Sequence, residues 1–142
     1  DQYYRGSTSA GSVSGLPWAE GGIQEFLSYG IPRDKLILGI PLYVRVWKLD
    51  QNGKPVESTA VYYKDIPSLI AKKSTRSTWD ETFGQYRIEY DEGGFRHVFW
   101  LEDDSTIEAR IALAKKYDLA GVAFWRLGYD TAGLWQQIIQ QK

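Results

Sequence analysis

The sequence has no cysteine and a single histidine among its 142 residues. Without cysteine the chain has no disulfide, no thiolate metal site and no cysteine nucleophile. The one histidine, His97, falls in a run of alternating polar and apolar residues, so a metal site would have to consist of carboxylates, and a structural or surface role is expected. The glycine-rich stretches lack the lysine and the helix context of phosphate loops. We therefore expect neither a metal nor a cofactor.

The chain also lacks an excess of charge of one sign and any long apolar run. Its 17 basic and 18 acidic residues give a net charge of -1 and are interspersed, without the basic stripe that nucleic acid or an anionic membrane attracts. The longest apolar runs, LILGIPL and LAGVAFW, are far shorter than the roughly 18 residues that a membrane span needs. Neither nucleic acid nor a membrane is an expected partner.

Aromatic residues, by contrast, are abundant. Six Trp, 10 Tyr and 5 Phe make up 15% of the chain. Most of them are expected to fill a core. A surplus of Trp and Tyr is also typical of carbohydrate clefts and of protein interfaces, where an apolar face must form hydrogen bonds as well.

Hydrophobic periodicity predicts an alternation of helices, buried strands and hairpins. The Asn52-Gly53 and Gly93-Gly94 pairs are typical of tight hairpin turns, and Ser105 and Glu108 have the spacing of a capping box. The predicted elements are a loop over 1–15, a helix over 18–29, a strand over 36–47, a hairpin into 55–63, a short helix near 65–73, two strands within 85–100, a helix from 105 to about 117, a strand over 119–125 and a last helix capped by Thr131.

Two nearly all-apolar strands separated by a helix indicate parallel strands that are covered on both faces. Side chains alternate along a strand, which places Tyr43, Arg45 and Trp47 on one face, and Trp125 ends the later strand. In a parallel barrel the carboxyl ends of the strands hold the active site, so these residues are candidates for substrate contact. In the alternative, Tyr43 and Trp125 close the top of the barrel and Arg45 forms an ion pair.

Several motifs resemble those of family 18 glycoside hydrolases. GIPLYVRVW is similar to the seventh barrel strand of that family, which usually reads Gly-x-Pro-x-Tyr-Gly-Arg-x-Trp or Phe. FWLEDDSTIEARIALAKKYDLAGVAFWRLGYD resembles its seventh helix and eighth strand, and the WRLG ending is most similar to the bacterial branch associated with cell walls and spores. Asp1-Gln2 resembles the end of the Met-x-Tyr-Asp-Gln motif of the sixth strand.

This resemblance implies an α/β fold, namely the C-terminal part of a (β/α)8 TIM barrel with a small antiparallel α+β insertion. Residues 1–47 would supply a loop, the sixth helix and the seventh strand. Residues 48–101 would form the insertion, and 102–142 the seventh helix, eighth strand and eighth helix. Since two barrel strands cannot stand alone, association with the missing barrel half or with a second copy is expected.

The resemblance also implies roles for individual residues. Asp1 matches the Asp that orients the substrate acetamide in substrate-assisted retaining catalysis, Tyr43 and Arg45 match the pair that contacts sugar, and Trp125 matches the floor of the cleavage subsite. Trp47 is expected to bind substrate on the same face. The chain departs from the family in carrying Val44 where Gly is common, and it contains no Asp-x-x-Asp-x-Asp-x-Glu motif, which carries the general acid.

We therefore expect a parent enzyme that hydrolyses β-1,4-linked N-acetylglucosamine glycans, chitin or peptidoglycan, and an isolated segment that is inactive. A secreted or envelope-associated bacterial protein is expected. Two alternatives remain at this point: a non-catalytic glycan-binding relative, and an interaction module built on residues 48–100.

Overall fold

The computed structural model describes residues 1–141, which form two sheets and four α-helices. None of these helices combines the length and the apolar character that crossing a membrane requires. The elements are α1 (Leu16–Ser28), β1 (Ile37–Pro41), β2 (Tyr43–Leu49), β3 (Pro55–Tyr62), α2 (Ile66–Lys72), β4 (Arg76–Asp80), β5 (Gln85–Glu92), β6 (Phe95–Trp100), α3 (Asp104–Lys116), β7 (Gly121–Trp125) and α4 (Ala132–Gln140).

The two apolar strands β1 and β7 pair in parallel, as predicted, with Ile37 opposite Gly121 and Pro41 opposite Trp125. Helices cover one face of the pair, and Ile40 and the following Leu42 are buried on that face. The residues that complete this core are Tyr63, Ile107 and Ile111 of α3, and Leu134 of α4. On the other face Ile37 is 62% exposed, so the pair has a covered side and an open side.

The single strand predicted over 36–47 is two strands in the structure. Leu42 separates them: its N–H donates to the Trp125 carbonyl (2.8 Å) and its carbonyl accepts from the Tyr63 N–H (2.9 Å). Beyond Leu42 the chain enters a five-stranded antiparallel sheet, ordered β3-β2-β6-β5-β4. The first residue of this antiparallel sheet is Tyr43, and the sheet includes β4, which the sequence did not predict.

Trp47 does not lie on an open face as alternation predicted. Only 1% of it is exposed, and its indole N–H donates to the Gly11 carbonyl (2.9 Å). It packs with Leu49, Phe83, Val98 and Trp100. The N-terminal loop covers this face of the sheet, which the alternation of side chains alone could not reveal. The sugar contact expected for Trp47 is corrected accordingly, and its place is in the core.

Helix ends follow local side-chain chemistry. Thr131 caps α4 as predicted, accepting a hydrogen bond from the Leu134 N–H (3.3 Å). The cap of α3 differs from the prediction, because Asp103 and Thr106 form the capping box instead of Ser105 and Glu108. An acceptor two residues earlier reaches the Thr106 N–H, so α3 begins at Asp104.

A buried ion pair connects α3 to the N-terminal loop. Glu102 and Arg110 form a salt bridge in which the side chains are 2% and 1% exposed. Arg110 also donates to the Ser14 carbonyl (2.5 Å), while Glu102 accepts from Gln85 (3.1 Å) and Thr106 (2.6 Å). Because every partner is also hydrogen-bonded, the desolvated charges are compensated and the loop is held in one position.

The buried hydroxyl of Tyr63 should make stability sensitive to alkaline pH. Burial, followed by its hydrogen bond to Asp104, raises the pKa of Tyr63 above the usual value of about 10. A raised folded pKa means that the native state keeps a proton which the unfolded chain loses, so stability is complete below about pH 10 and falls above it.

We therefore expect Tyr63→Phe to unfold with less dependence on pH, removing about 1.4 kcal/mol of the loss between pH 8 and 11. Urea unfolding midpoints at the two pH values measure this. Tyr4→Phe is the matched control, since Tyr4 is 57% exposed. Equal alkaline losses in the Tyr63→Phe variant and the unaltered chain would contradict the prediction.

Candidate functional site

Tyr43 and Asp1 meet where the parallel pair ends. Tyr43 is the first residue of β2, directly after Leu42, and its hydroxyl donates to the Asp1 carboxylate (2.6 Å). Gln2 fixes the neighbouring backbone, since its N–H donates to the Val13 carbonyl (2.7 Å) and its side-chain oxygen accepts from the Gly15 N–H (2.9 Å). Burial raises the pKa of Tyr43, and the positive charge of Arg45 opposes the shift, so at neutral pH its hydroxyl remains a donor.

Trp125 lies at the same end of the parallel pair. It is the last residue of β7 and stands opposite Pro41, two residues before Tyr43. Trp125 is 64% exposed, although the opposite face of β7 packs in the core. An indole held at a strand end with one face open can support an apolar sugar face.

Arg45 lies one residue beyond Val44 on β2 and is half-buried. Its guanidinium donates to the Ser58 hydroxyl (3.1 Å), and its Nε is buried without a hydrogen-bond partner. Within residues 1–141 no carboxylate forms an ion pair with it. The ion pair of the alternative interpretation is thus absent from the described chain, and the group keeps donor capacity for a ligand.

Two tyrosines and one arginine that the sequence did not single out extend this surface. Tyr62 stands opposite Tyr43 in the β2-β3 hairpin and stacks on Tyr129, with centroids 3.9 Å apart and an interplanar angle of 11°. Tyr129 also meets Tyr43 edge to face at 6.3 Å. The Arg126 guanidinium lies over the Tyr129 ring, 5.1 Å from its centroid. The predicted hairpin could have indicated Tyr62, because it places Tyr62 directly across from Tyr43.

Among residues 1–141, no group of three or more His, Asp or Glu side chains is arranged to hold a metal. His97, treated as structural in the sequence, stacks on Tyr90 with centroids 4.9 Å apart. A groove of about 910 Å³ lies between α1 and the start of β1 on the open side of the parallel pair, and its lining is mostly apolar. It contains none of the site residues named above.

Residues 5–130 match the sequence profile of the glycosyl hydrolases family 18. The chain belongs to this family. The motif resemblance of the two strand ends is therefore confirmed at the level of the family, and with it the glycoside hydrolase character of the sequence.

Curated relatives include two Bacillus proteins. The uncharacterized glycosylase YvbX of Bacillus subtilis (strain 168) is 30% identical over 129 residues, which cover 90% of this family 18 chain and 36% of YvbX. The cortical fragment-lytic enzyme of Bacillus anthracis is 26% identical over 125 residues, covering 84% of this chain and 29% of that enzyme. The chain thus spans about a third of the length of the curated relatives it matches.

Solved structures agree with the family 18 assignment. The Bacillus cereus spore cortex-lytic enzyme SleL superposes with a TM-score of 0.83 and 25% identity, over 99% of this chain and 33% of that one. A plant class V chitinase mutant from Cycas revoluta, solved in complex with (GlcNAc)3, gives a TM-score of 0.79 and 25% identity over 99% of this chain and 44% of its own. These matches confirm the α/β fold, whereas the place of each strand in a barrel stays a prediction.

Proposed function

We propose that this chain is the C-terminal portion of a family 18 catalytic domain which hydrolyses β-1,4-linked N-acetylglucosamine glycans. The observation that carries the proposal is the convergence of Trp125, Tyr43 and Asp1 at the carboxyl end of β1 and β7. The two strands would be the seventh and eighth of a (β/α)8 barrel, and β2 to β6 with α2 would form its insertion. Relatives with glycosidase and chitinase names support the same reaction class.

In this proposal each residue has a separate task. Trp125 supplies the apolar floor under an N-acetylglucosamine ring, and Arg45 donates to ring hydroxyls or to the acetamide. The carboxylate of Asp1 orients the acetamide, whose oxygen attacks the anomeric carbon, and stabilises the positive charge that develops on it. The hydroxyl of Tyr43 holds that carboxylate in position, which the 2.6 Å hydrogen bond supports.

The same proposal assigns no hydrolysis to the isolated chain. Protonation of the leaving oxygen needs a carboxylic acid, and the acid-bearing family motif is not present in the sequence. The acidic pairs at Asp103-Asp104 and Asp80-Glu81 do not replace it, because Asp103 caps α3, Asp104 accepts from Tyr63, and Asp80 accepts from the Trp100 indole (2.8 Å). The acid would be supplied by the preceding part of the domain.

We further propose that this preceding part covers the open side of the parallel pair. Trp18 and Phe26 of α1 are 49% and 51% exposed beside the apolar groove, and Ile37 is 62% exposed. Without that cover, association of two copies through the same face would bury the apolar area. The Bacillus relatives named for lysis of cortical fragments support a secreted or envelope-associated protein.

Glycan binding by Trp125 provides the test. Chitotetraose should bind the chain with millimolar affinity, followed by the indole N–H signals in NMR titrations, and Trp125→Ala should weaken it by about tenfold or more because the stacking surface is lost. Trp79→Ala is the matched control, since Trp79 is 47% exposed on β4, at the opposite edge of the sheet from β3. Equal binding by both variants would refute the proposed role of Trp125.

A further inference from the structure

Tyr129 lies in the turn after β7 and contacts three side chains. Its ring stacks on Tyr62, with centroids 3.9 Å apart and an interplanar angle of 11°. It also meets Tyr43 edge to face at 6.3 Å, and the Arg126 guanidinium lies 5.1 Å from its centroid. Since Arg126 directly follows Trp125 in the chain, one ring links the strand end that carries Trp125 with Tyr43.

The antiparallel sheet holds this turn from the other side. Tyr62 is the last residue of β3, and the N–H of Lys64, two residues later, donates to the Tyr129 carbonyl (3.0 Å). The Lys64 ammonium donates to the Gly128 carbonyl (2.7 Å), and the Gly128 N–H donates to the Asp130 carboxylate (2.7 Å). Backbone and side-chain contacts therefore fasten the turn, and the aromatic stack joins it to β3.

Charged groups of both signs border the stack. The Tyr129 hydroxyl raises the pKa of Tyr62, the exposed Asp65 acts in the same direction, and Arg126 acts in the opposite one. The raised pKa keeps Tyr62 uncharged at neutral pH, so contact between the rings holds the stack. Trp125, by contrast, is 64% exposed and has few neighbours to fix its orientation. A stack of stiff rings beside it supplies that support, because a tyrosine side chain has only two rotatable bonds.

We propose that Tyr129 is a positioning residue for the sugar floor, which through its stack on Tyr62 fixes the turn after β7 and the orientation of Trp125. The inference rests on the function proposed above, and it adds a role for the antiparallel sheet, which supports the glycan site from the end of β3. A floor that is free to tilt loses contact with the apolar face of the sugar. Binding should therefore weaken although every residue that touches the sugar is unchanged.

Chitotetraose titrations of Tyr129 variants, followed by NMR, test this role. Tyr129→Leu removes the ring, and we expect it to weaken binding by about threefold to tenfold. Tyr129→Phe keeps the ring, so its affinity should stay within about twofold of that of the unaltered chain. In the ligand-free chain the Trp125 indole N–H signal, assigned by its absence from Trp125→Ala, should shift or broaden in Tyr129→Leu. It should keep its position in Tyr129→Phe.

A double variant determines whether the stack is the cause. Tyr62→Leu removes the partner ring and should weaken binding to the same degree as Tyr129→Leu. Because both substitutions break one contact, Tyr62→Leu/Tyr129→Leu should lose no more affinity than either single variant. Tyr86→Leu is the matched control, since Tyr86 is 49% exposed and pairs with Trp79 at 5.1 Å, at the end of the sheet remote from β3. It should change neither the affinity nor the Trp125 signal.

The outcomes separate this inference from the proposal on which it rests. Weaker binding by Tyr129→Leu with an unchanged Trp125 signal would identify Tyr129 as a sugar contact and overturn the positioning role. Additive losses in the double variant, or full affinity of Tyr129→Leu while Trp125→Ala loses binding, would overturn it as well and leave the glycan site intact. Absence of chitotetraose binding by the unaltered chain would overturn both. If circular dichroism shows that Tyr129→Leu is unfolded, Tyr62→Leu provides the same two measurements.

Discussion

Arg110→Met is expected to lower the free energy of unfolding by about 3–5 kcal/mol, among the largest effects available in this chain. The substitution keeps most of the side-chain volume but removes the cation, so Glu102 remains as a buried charge. It also removes the donor to the Ser14 carbonyl and thereby releases the loop that leads to Asp1. Urea unfolding followed by tryptophan fluorescence measures the change.

Two further variants locate the cause of this loss. In Arg110→Met/Glu102→Gln the uncompensated charge is gone, so the double variant should be more stable than the sum of the two single changes implies. Lys116→Met breaks the ion pair with Glu20, whose side chains are 63% and 31% exposed, and should have a much smaller effect. A loss no greater in Arg110→Met than in Lys116→Met would contradict the importance of the buried pair.

The second large effect is expected at Trp47, where Trp47→Ala should cost about 3–5 kcal/mol. The indole is 1% exposed and fills the centre of the cluster between β2, β6 and the N-terminal loop. Trp47→Phe should cost less, about 1–3 kcal/mol, because the ring volume is partly kept. The remaining loss arises because the buried Gly11 carbonyl loses its hydrogen-bond donor. Both values come from the urea unfolding curves of the variants.

A comparison of variants at Trp47 and Trp125 also distinguishes a core residue from a glycan-binding residue. Trp47→Phe should bind chitotetraose as the unaltered chain does, whereas Trp125→Ala should lose affinity and keep nearly all its stability, because its side chain is 64% exposed. Loss of glycan binding in a folded Trp47→Phe variant would restore the sugar contact that the sequence pattern suggested for Trp47.

Much of the fold followed from the order of apolar and polar residues. The parallel pairing of β1 with β7 was predictable because both strands are almost wholly apolar and a helix precedes the second. The change of sheet at Leu42 was not predictable, since the alternation of side chains continues through it without a break. The short strand β4 was missed because its RSTWD sequence has no apolar alternation.

The candidate site was predictable only where it lies on strand ends. Tyr43 and Trp125 were predicted as site residues because they lie at the carboxyl ends of the two apolar strands, and the structure brings both to one end of the pair. Trp47 shared the periodicity of Tyr43 but not its surroundings, because coverage by a distant loop leaves no mark in the strand itself. Tyr129 and Arg126 depend on the turn after β7, whose shape the sequence pattern did not indicate.

The double hydrogen bonding of Leu42 has a practical consequence for chimeric proteins. Its N–H donates to the Trp125 carbonyl and its C=O accepts from the Tyr63 N–H, so a single residue links the parallel pair with the antiparallel sheet. A graft that exchanges the antiparallel sheet between family members with a junction after Trp47 would divide β2 and its cluster. Junctions placed between Leu42 and Tyr43 and after Trp100 would transfer the sheet as an intact module, together with the Tyr43 and Tyr62 faces of the site.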